Sequence, residues 1–198
     1  MNKALRAALL MIDFINLFDY DDAKALAPRA VRAARATAKL KARARAAGLS
    51  CIYANDNFGN WTSEFTALAR ECLKRSGAPA EIARLLAPQR GDLSILKPRH
   101  SAFYGTPLGF LLDDLRVTHL LITGLTADRC VFATAQDAYV RKYAVWVPVD
   151  CVAASSRAYE KTALAQMQRT LKARTTASRT IDFFRPNALW RDARKGAR

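Results

Sequence analysis

Three side chains able to take part in covalent chemistry fall at the ends of apolar runs. Asp13 follows Ala8-Leu-Leu-Met-Ile, Lys97 immediately precedes Pro98, and Cys130 lies a few residues beyond the run His119 to Thr123. A thiol, a carboxylate and an ammonium can serve as nucleophile, proton acceptor and supporting cation. Cys130 falls in the first turn of an expected helix, where free N–H groups and the positive end of the helix dipole favour a thiolate and can also bind an oxyanion. The same position suits an ordinary small residue packed against a sheet. A carboxylate after a buried strand needs a partner to stay charged, although Asp13 could equally cap a helix or form a turn. Lys97 is held extended by the proline after it, which ends the strand there, yet most lysines are solvated. No histidine lies near Cys130 in sequence, so a Cys-His pair is not assembled by motif. Cys51 and Cys151 read as inert, and Cys72 carries no signal.

These residues require a scaffold that brings strand ends together. Strand-length apolar runs alternate with longer helical patterns, the order expected of parallel βαβ units. The expected strands are Leu5 to Asp13, Ser50 to Ala54, Ser94 to Lys97, His119 to Thr123, Tyr143 to Pro148 and Thr176 to Ile181. The helices between them cover Asp22 to Ala47, Ser63 to Leu73, Pro79 to Leu86, Pro107 to Leu115, Ala127 to Tyr139 and Ser156 to Leu171, with a loop at Asn55 to Trp61. This pattern predicts a three-layer α/β/α sandwich around a mainly parallel sheet of five or six strands. Ligands in such folds sit beyond the carboxyl ends of the strands, near the point where strand order reverses. Asp13, Lys97 and Cys130 all belong to that edge.

The chain has 198 residues, 51% of them hydrophobic and 25% charged, which suits one domain with its own core. We expect that domain over residues 1–190, followed by a basic tail over 191–198. No stretch approaches the ~20 apolar residues of a membrane span, and the opening MNKALRAALLMIDF reads as a first strand rather than an export signal. Four cysteines without a CxxC pair and only two histidines, His100 and His119, do not form zinc-site spacing. The expectation is a cytoplasmic protein with free thiols and no metal or other cofactor. A net charge of +15 attracts polyanions. No nucleic-acid-binding signature accompanies it, so an arginine-rich solvated surface is favoured over a nucleic-acid site.

Five segments resemble the isochorismatase-like cysteine hydrolase superfamily in order and over nearly the whole chain: LLMIDFINLFDY, YANDNFGNW, LKPRHSAFYGTPL, LLITGLTADRCVFATAQDAYVRKY and VWVPVDCVAAS. The most specific is the string G-x-T-x-x-x-C-V-x-x-T-A-x-D-A at Gly124 to Ala138. The resemblance implies an Asp-Lys-Cys triad on Asp13, Lys97 and Cys130. It also implies a cis peptide at Leu125–Thr126 that aims the Thr126 N–H, with that of Cys130, at an oxyanion. It further implies a small-molecule substrate and a dimer or tetramer.

Departures from the family narrow the reading. Asp56-Asn57-Phe58 stands where metal-dependent nicotinamidases carry an Asp-x-His pair, and Ile15 replaces the glutamine of D-x-Q-N, leaving Asn16. Retention of Cys130 favours the amidase or ureidohydrolase branch over vinyl-ether cleavage. We expect hydrolysis of an amide, ureido or carbamoyl C–N bond through a thioester, in a pocket walled by Phe14, Phe18, Phe58, Trp61 and Tyr104. Asp56 and Asn57 would hydrogen-bond the substrate or brace the loop, and Arg99 and His100 would meet an anionic group or face solvent. The competing reading is a catalytically silent binding protein of the same fold that uses its basic surface for nucleic acid or an acidic partner.

Overall fold

The computed structural model describes residues 6–183; the expected basic tail lies outside them. Five strands pair in the order β3-β2-β1-β4-β5, and the short β6 adds to β4. They are β1 (Ala7–Ile12), β2 (Ser50–Asp56), β3 (Leu93–Lys97), β4 (His119–Leu125), β5 (Ala144–Trp146) and β6 (Val152–Ala153). Every pairing is parallel. The helices are α1 (Ala23–Ala46), α2 (Phe65–Lys74), α3 (Ala78–Leu85), α4 (Leu108–Asp114), α5 (Cys130–Val140) and α6 (Arg157–Thr170).

The alternation of side chains along each strand sorts the core into two layers. Leu9, Met11, Cys51, Tyr53, Leu121 and Trp146 pack against α1, α2 and α3. Leu10, Ile12, Ile52, Ala54, Leu120 and Ile122 pack against α4, α5 and α6. With both faces covered, the central strands are apolar throughout; all six residues of β1 and all seven of β4 are buried. This is the expected three-layer α/β/α sandwich. Among the described residues no helix is long and apolar enough to cross a membrane.

The chain builds outward from β1 to β3, then crosses back to place β4 on the other side of β1. The strand order therefore reverses between β1 and β4, which opens a crevice beyond their carboxyl ends. The two backbones are close there. Gly124 sits opposite Ile12 with φ +130°, and a Cβ at that position would lie 2.1 Å from the Ile12 carbonyl oxygen.

Some boundaries differ from expectation for identifiable reasons. Asn55 and Asp56 belong to β2 rather than to the loop, because they pair with Leu96 and Lys97. Residues 176–181 form no strand. The Asp150 carboxylate accepts from both the N–H and the hydroxyl of Ser178, each at 2.7 Å, and the chain coils there into a 3-10 turn. The sixth strand is instead Val152–Ala153. It pairs with Gly124 and Leu125, the part of β4 beyond the reach of β5.

Candidate active site

Asp13 is the first residue beyond β1, and its φ of +51° breaks the strand alternation. Its N–H still donates to Ala54 O at 3.1 Å. The turned backbone leaves the carboxylate at the crevice, where Oδ1 accepts from the Asp56 N–H at 2.6 Å and Oδ2 meets Lys97 Nζ at 2.8 Å. Lys97 ends β3, two strands away, and is fully buried. Its ammonium also contacts Asp56 Oδ2 at 3.3 Å, donates to Arg99 O at 3.2 Å, and lies 3.6 Å from Cys130 Sγ. Asp13, Asp56 and Cys130, from three separate stretches of the chain, thus share one ammonium group.

Cys130 is the first residue of α5. The helix starts later than expected because Ala127 N–H donates to Ala153 O, and Thr126 O accepts from Arg129 and Val131. The peptide between Leu125 and Thr126 is cis, as the resemblance implies. Cys130 Sγ also lies 3.5 Å from His100 Nδ1.

The electrostatics correct one expectation. Burial, and next the charge of Asp13, push the Cys130 thiol up to about 12 against the opposing pull of Lys97. The sulfur is therefore protonated at rest, since desolvation outweighs the helix terminus that would favour a thiolate. Burial also raises Asp13, with Lys97 opposing. Lys97 is held above its ordinary value: burial acts to lower it, but the charges of Asp13 and Cys130 win. The resting state is a neutral thiol beside an ion pair whose carboxylate is more basic than usual.

Asp13 and Cys130, but not the fully buried Lys97, line a cavity of about 200 Å³ whose wall also includes Asp56, Phe58, His100 and Thr126. The other expected pocket residues lie elsewhere. Phe14 is fully buried in the core layer beneath α1. Phe18 lines the neighbouring depression beside Asp19 and Lys24. Asn57 is buried and braces its loop by accepting from Gly59 N–H at 3.0 Å. Trp61 and Tyr104 are 80% and 64% exposed, away from the cavity wall. In their place the wall takes Asn16, Tyr20, Asp22, Asp128, Arg129 and Ser155. Tyr20 is pushed up to about 12, by burial first and then by Asp13 and Asp22, so its phenol remains a proton donor. No periodicity marks these residues; only their position directly after β1, or directly before Cys130, hints at the crevice. Among the described residues no three His, Cys, Asp or Glu side chains are grouped to hold a metal ion.

The model of the isochorismatase domain family matches residues 7–178, which include every residue of this arrangement. The chain belongs to the isochorismatase family. An uncharacterized isochorismatase family protein of Bacillus subtilis is 37% identical over 181 residues, covering 91% of this chain and 98% of that relative. N-carbamoylsarcosine amidase from Thermoplasma acidophilum superposes with a TM-score of 0.68 at 26% identity, over 89% of this chain and 98% of that structure. A ureidoacrylate amidohydrolase of Klebsiella pneumoniae is 34% identical over 76 residues, 38% of this chain and 32% of that enzyme. Isochorismatase-family relatives of this chain thus include amidohydrolases that act on C–N bonds.

Proposed function

We propose that this isochorismatase-family protein hydrolyses an amide, ureido or carbamoyl C–N bond of a small molecule through a thioester on Cys130. The observation that carries the reading is the buried Lys97 ammonium, 2.8 Å from Asp13 and 3.6 Å from the Cys130 sulfur at the wall of a cavity. Burying an ion pair costs several kcal/mol per ion in desolvation, and such perturbed groups cluster at functional sites. The amidase and amidohydrolase relatives favour a C–N substrate.

In this mechanism Asp13 accepts the thiol proton as sulfur attacks the carbonyl carbon, and Lys97 offsets the negative charge on both. The Thr126 and Cys130 N–H groups stabilise the oxyanion, where loss of one donor typically lowers the rate by about 10²–10³. Asp13 then passes its proton to the departing nitrogen, the C–N bond breaks, and the thioester remains. A cavity of about 200 Å³ suits a small molecule, since an enclosed apolar cavity of about 150 Å³ already holds a benzene ring.

The test is an ammonia-release screen over small amides, ureido acids and carbamoyl compounds, with the Cys130→Ala protein as blank. The expected result is release from one chemical group and none from the variant. Equal release by the Cys130→Ala protein would remove the reading.

A further inference from the structure

We propose that His100 is a catalytic residue of the second half-reaction: it takes the proton of the water that hydrolyses the thioester and returns it to the departing sulfur. The inference rests on the thioester reading above.

Two bases flank Cys130 Sγ at the cavity, and they differ in exposure and in how far their acceptor atoms are already engaged. Asp13 is almost wholly buried, with Oδ1 held by the Asp56 N–H and Oδ2 by Lys97. Asp13 reaches the same cavity, but both of its carboxylate oxygens are already engaged by donors. His100 is exposed on the loop after β3, lines the same cavity, and places Nδ1 3.5 Å from Sγ. When Nε2 carries the ring proton, Nδ1 is an acceptor directed at the sulfur. Once an acyl group occupies Sγ, the water that must reach its carbonyl enters from the open side, past the imidazole.

The loop that carries His100 is fixed on both sides of it. The Arg99 carbonyl accepts from Lys97 Nζ at 3.2 Å, the Ser101 hydroxyl donates to Asp137, and the Ala102 N–H donates to Thr134 Oγ1 at 3.0 Å. Both helix partners lie on α5, the helix that begins with Cys130. An exposed histidine on a free loop would sample many positions; this one is tied to the nucleophile's own helix.

The step balances as follows. Water oxygen bonds to the thioester carbonyl carbon while one water proton moves to His100 Nδ1. The tetrahedral intermediate collapses, the C–S bond breaks with its electron pair on sulfur, and the imidazolium gives its proton to that sulfur. Cys130 leaves as the neutral thiol, His100 as the neutral ring, and the product as the carboxylic acid. Asp13 serves the first half-reaction and His100 the second.

The experiment uses p-nitrophenyl acetate as an acyl donor that needs no knowledge of the natural substrate, comparing the wild-type protein with His100→Ala, His100→Gln and Cys130→Ala. Wild type is expected to release about one equivalent of p-nitrophenolate per chain in a burst, absent in Cys130→Ala, followed by steady turnover. Both His100 variants should keep the amplitude and rate of the burst, while steady turnover falls by roughly 10²-fold or more, the usual scale for a lost acid-base group. Glutamine retains polarity without a transferable proton, so a fall in His100→Gln separates proton transfer from positioning. The burst amplitude counts folded, competent sites. Steady turnover within twofold of wild type in both variants would overturn the assignment, as would a burst that slows in parallel with turnover and so moves His100 to acylation. A wild-type protein without a Cys130-dependent burst would remove the thioester itself, a separate failure that takes this inference with it.

Discussion

The Ser101 hydroxyl donates to the carboxylate of Asp137, two turns along the helix that Cys130 begins. Thr134, between them, accepts from the Ala102 N–H at 3.0 Å. Cys130, Thr134 and Asp137 stand at i, i+4 and i+7, one face of α5. That face presents the nucleophile at its start and clamps the loop after Lys97 along its length. The threonine and aspartate of the 124–138 motif are thereby explained as a clamp rather than as reacting groups.

Asp137→Ala tests this clamp. It leaves the Ser101 hydroxyl without its charged acceptor, a change worth about 1.5–3 kcal/mol, and frees the loop that sets both Lys97 and His100. The expected outcome is a modest fall in thermal midpoint with a loss of turnover well beyond what the residual folded fraction explains. Normal turnover per folded molecule would show that the clamp contributes stability alone.

The four thiols should divide sharply by accessibility. Cys51, Cys72 and Cys151 are buried, whereas Cys130 meets the cavity. An aromatic disulfide reagent should label one thiol per native chain, slowly at neutral pH because that sulfur is protonated, and four in denaturant. Cys130→Ala should abolish the native labelling. All four thiols are raised from 9.0, chiefly by burial: Cys51 and Cys72 to about 11, Cys130 and Cys151 to about 12. The native state therefore holds these protons more tightly than the unfolded chain does. Their contribution to stability is complete below pH 9 and is lost as the pH climbs towards 11 and 12. The urea midpoint should fall steadily over that window, and a flat midpoint would contradict the burial of the thiols.

Much of this site was legible because each of its main residues terminates an element. Asp13, Lys97 and Cys130 end or begin apolar segments, and a parallel sheet with reversed strand order collects such ends at one crevice. Side-chain direction was less legible. Phe14 should face α5 by strand alternation, but the left-handed turn at Asp13 shifts the parity and buries it with Met11 beneath α1. The aromatic type of Trp61 and Tyr104 suits a pocket wall but says nothing about where a loop points, and both are exposed. His100 was legible only as a group for an anion or solvent, because its approach to Cys130 is set by the ties of Ser101 and Ala102 to α5.

Removing the central cation should uncover an electrostatic penalty with a defined sign. Lys97→Met leaves the Asp13 carboxylate buried without its ion pair, and breaking such a pair typically costs about 3–5 kcal/mol. Without the opposing charge, burial is countered only by the weaker hydrogen bonds from Asp56 N–H and Cys130, and Asp13 rises further. A raised carboxyl carries no penalty while protonated and a growing one as the pH rises above its unfolded value near 3.8. The stability deficit of the variant against wild type should accordingly be smaller at pH 5 than at pH 7. A deficit independent of pH would assign the loss to packing and not to Asp13.

Gly124 offers the sharpest steric test of how the site is positioned. Its φ of +130° disfavours any side chain. A methyl group there would lie 2.1 Å from Ile12 O and 2.7 Å from Ile12 N. These are backbone atoms, so no rotamer change relieves the overlap, and β1 must move away from β4. Overpacking of this kind costs about 1–3 kcal/mol before the backbone conformation is counted. The displaced residue is the immediate neighbour of Asp13, whose contact with Lys97 at 2.8 Å belongs to a site that tolerates shifts of only about 0.5 Å. Gly124→Ala is expected to lower the thermal midpoint by several degrees and to lose turnover even in its folded fraction, whereas Gly109→Ala, in α4 where an added Cβ meets nothing within 4 Å, should keep turnover and leave the midpoint the same or slightly higher. A Gly124→Ala protein with wild-type turnover would mean that β1 and β4 can separate without disturbing Asp13, and that the close approach of these two strands does not set the geometry at the sulfur.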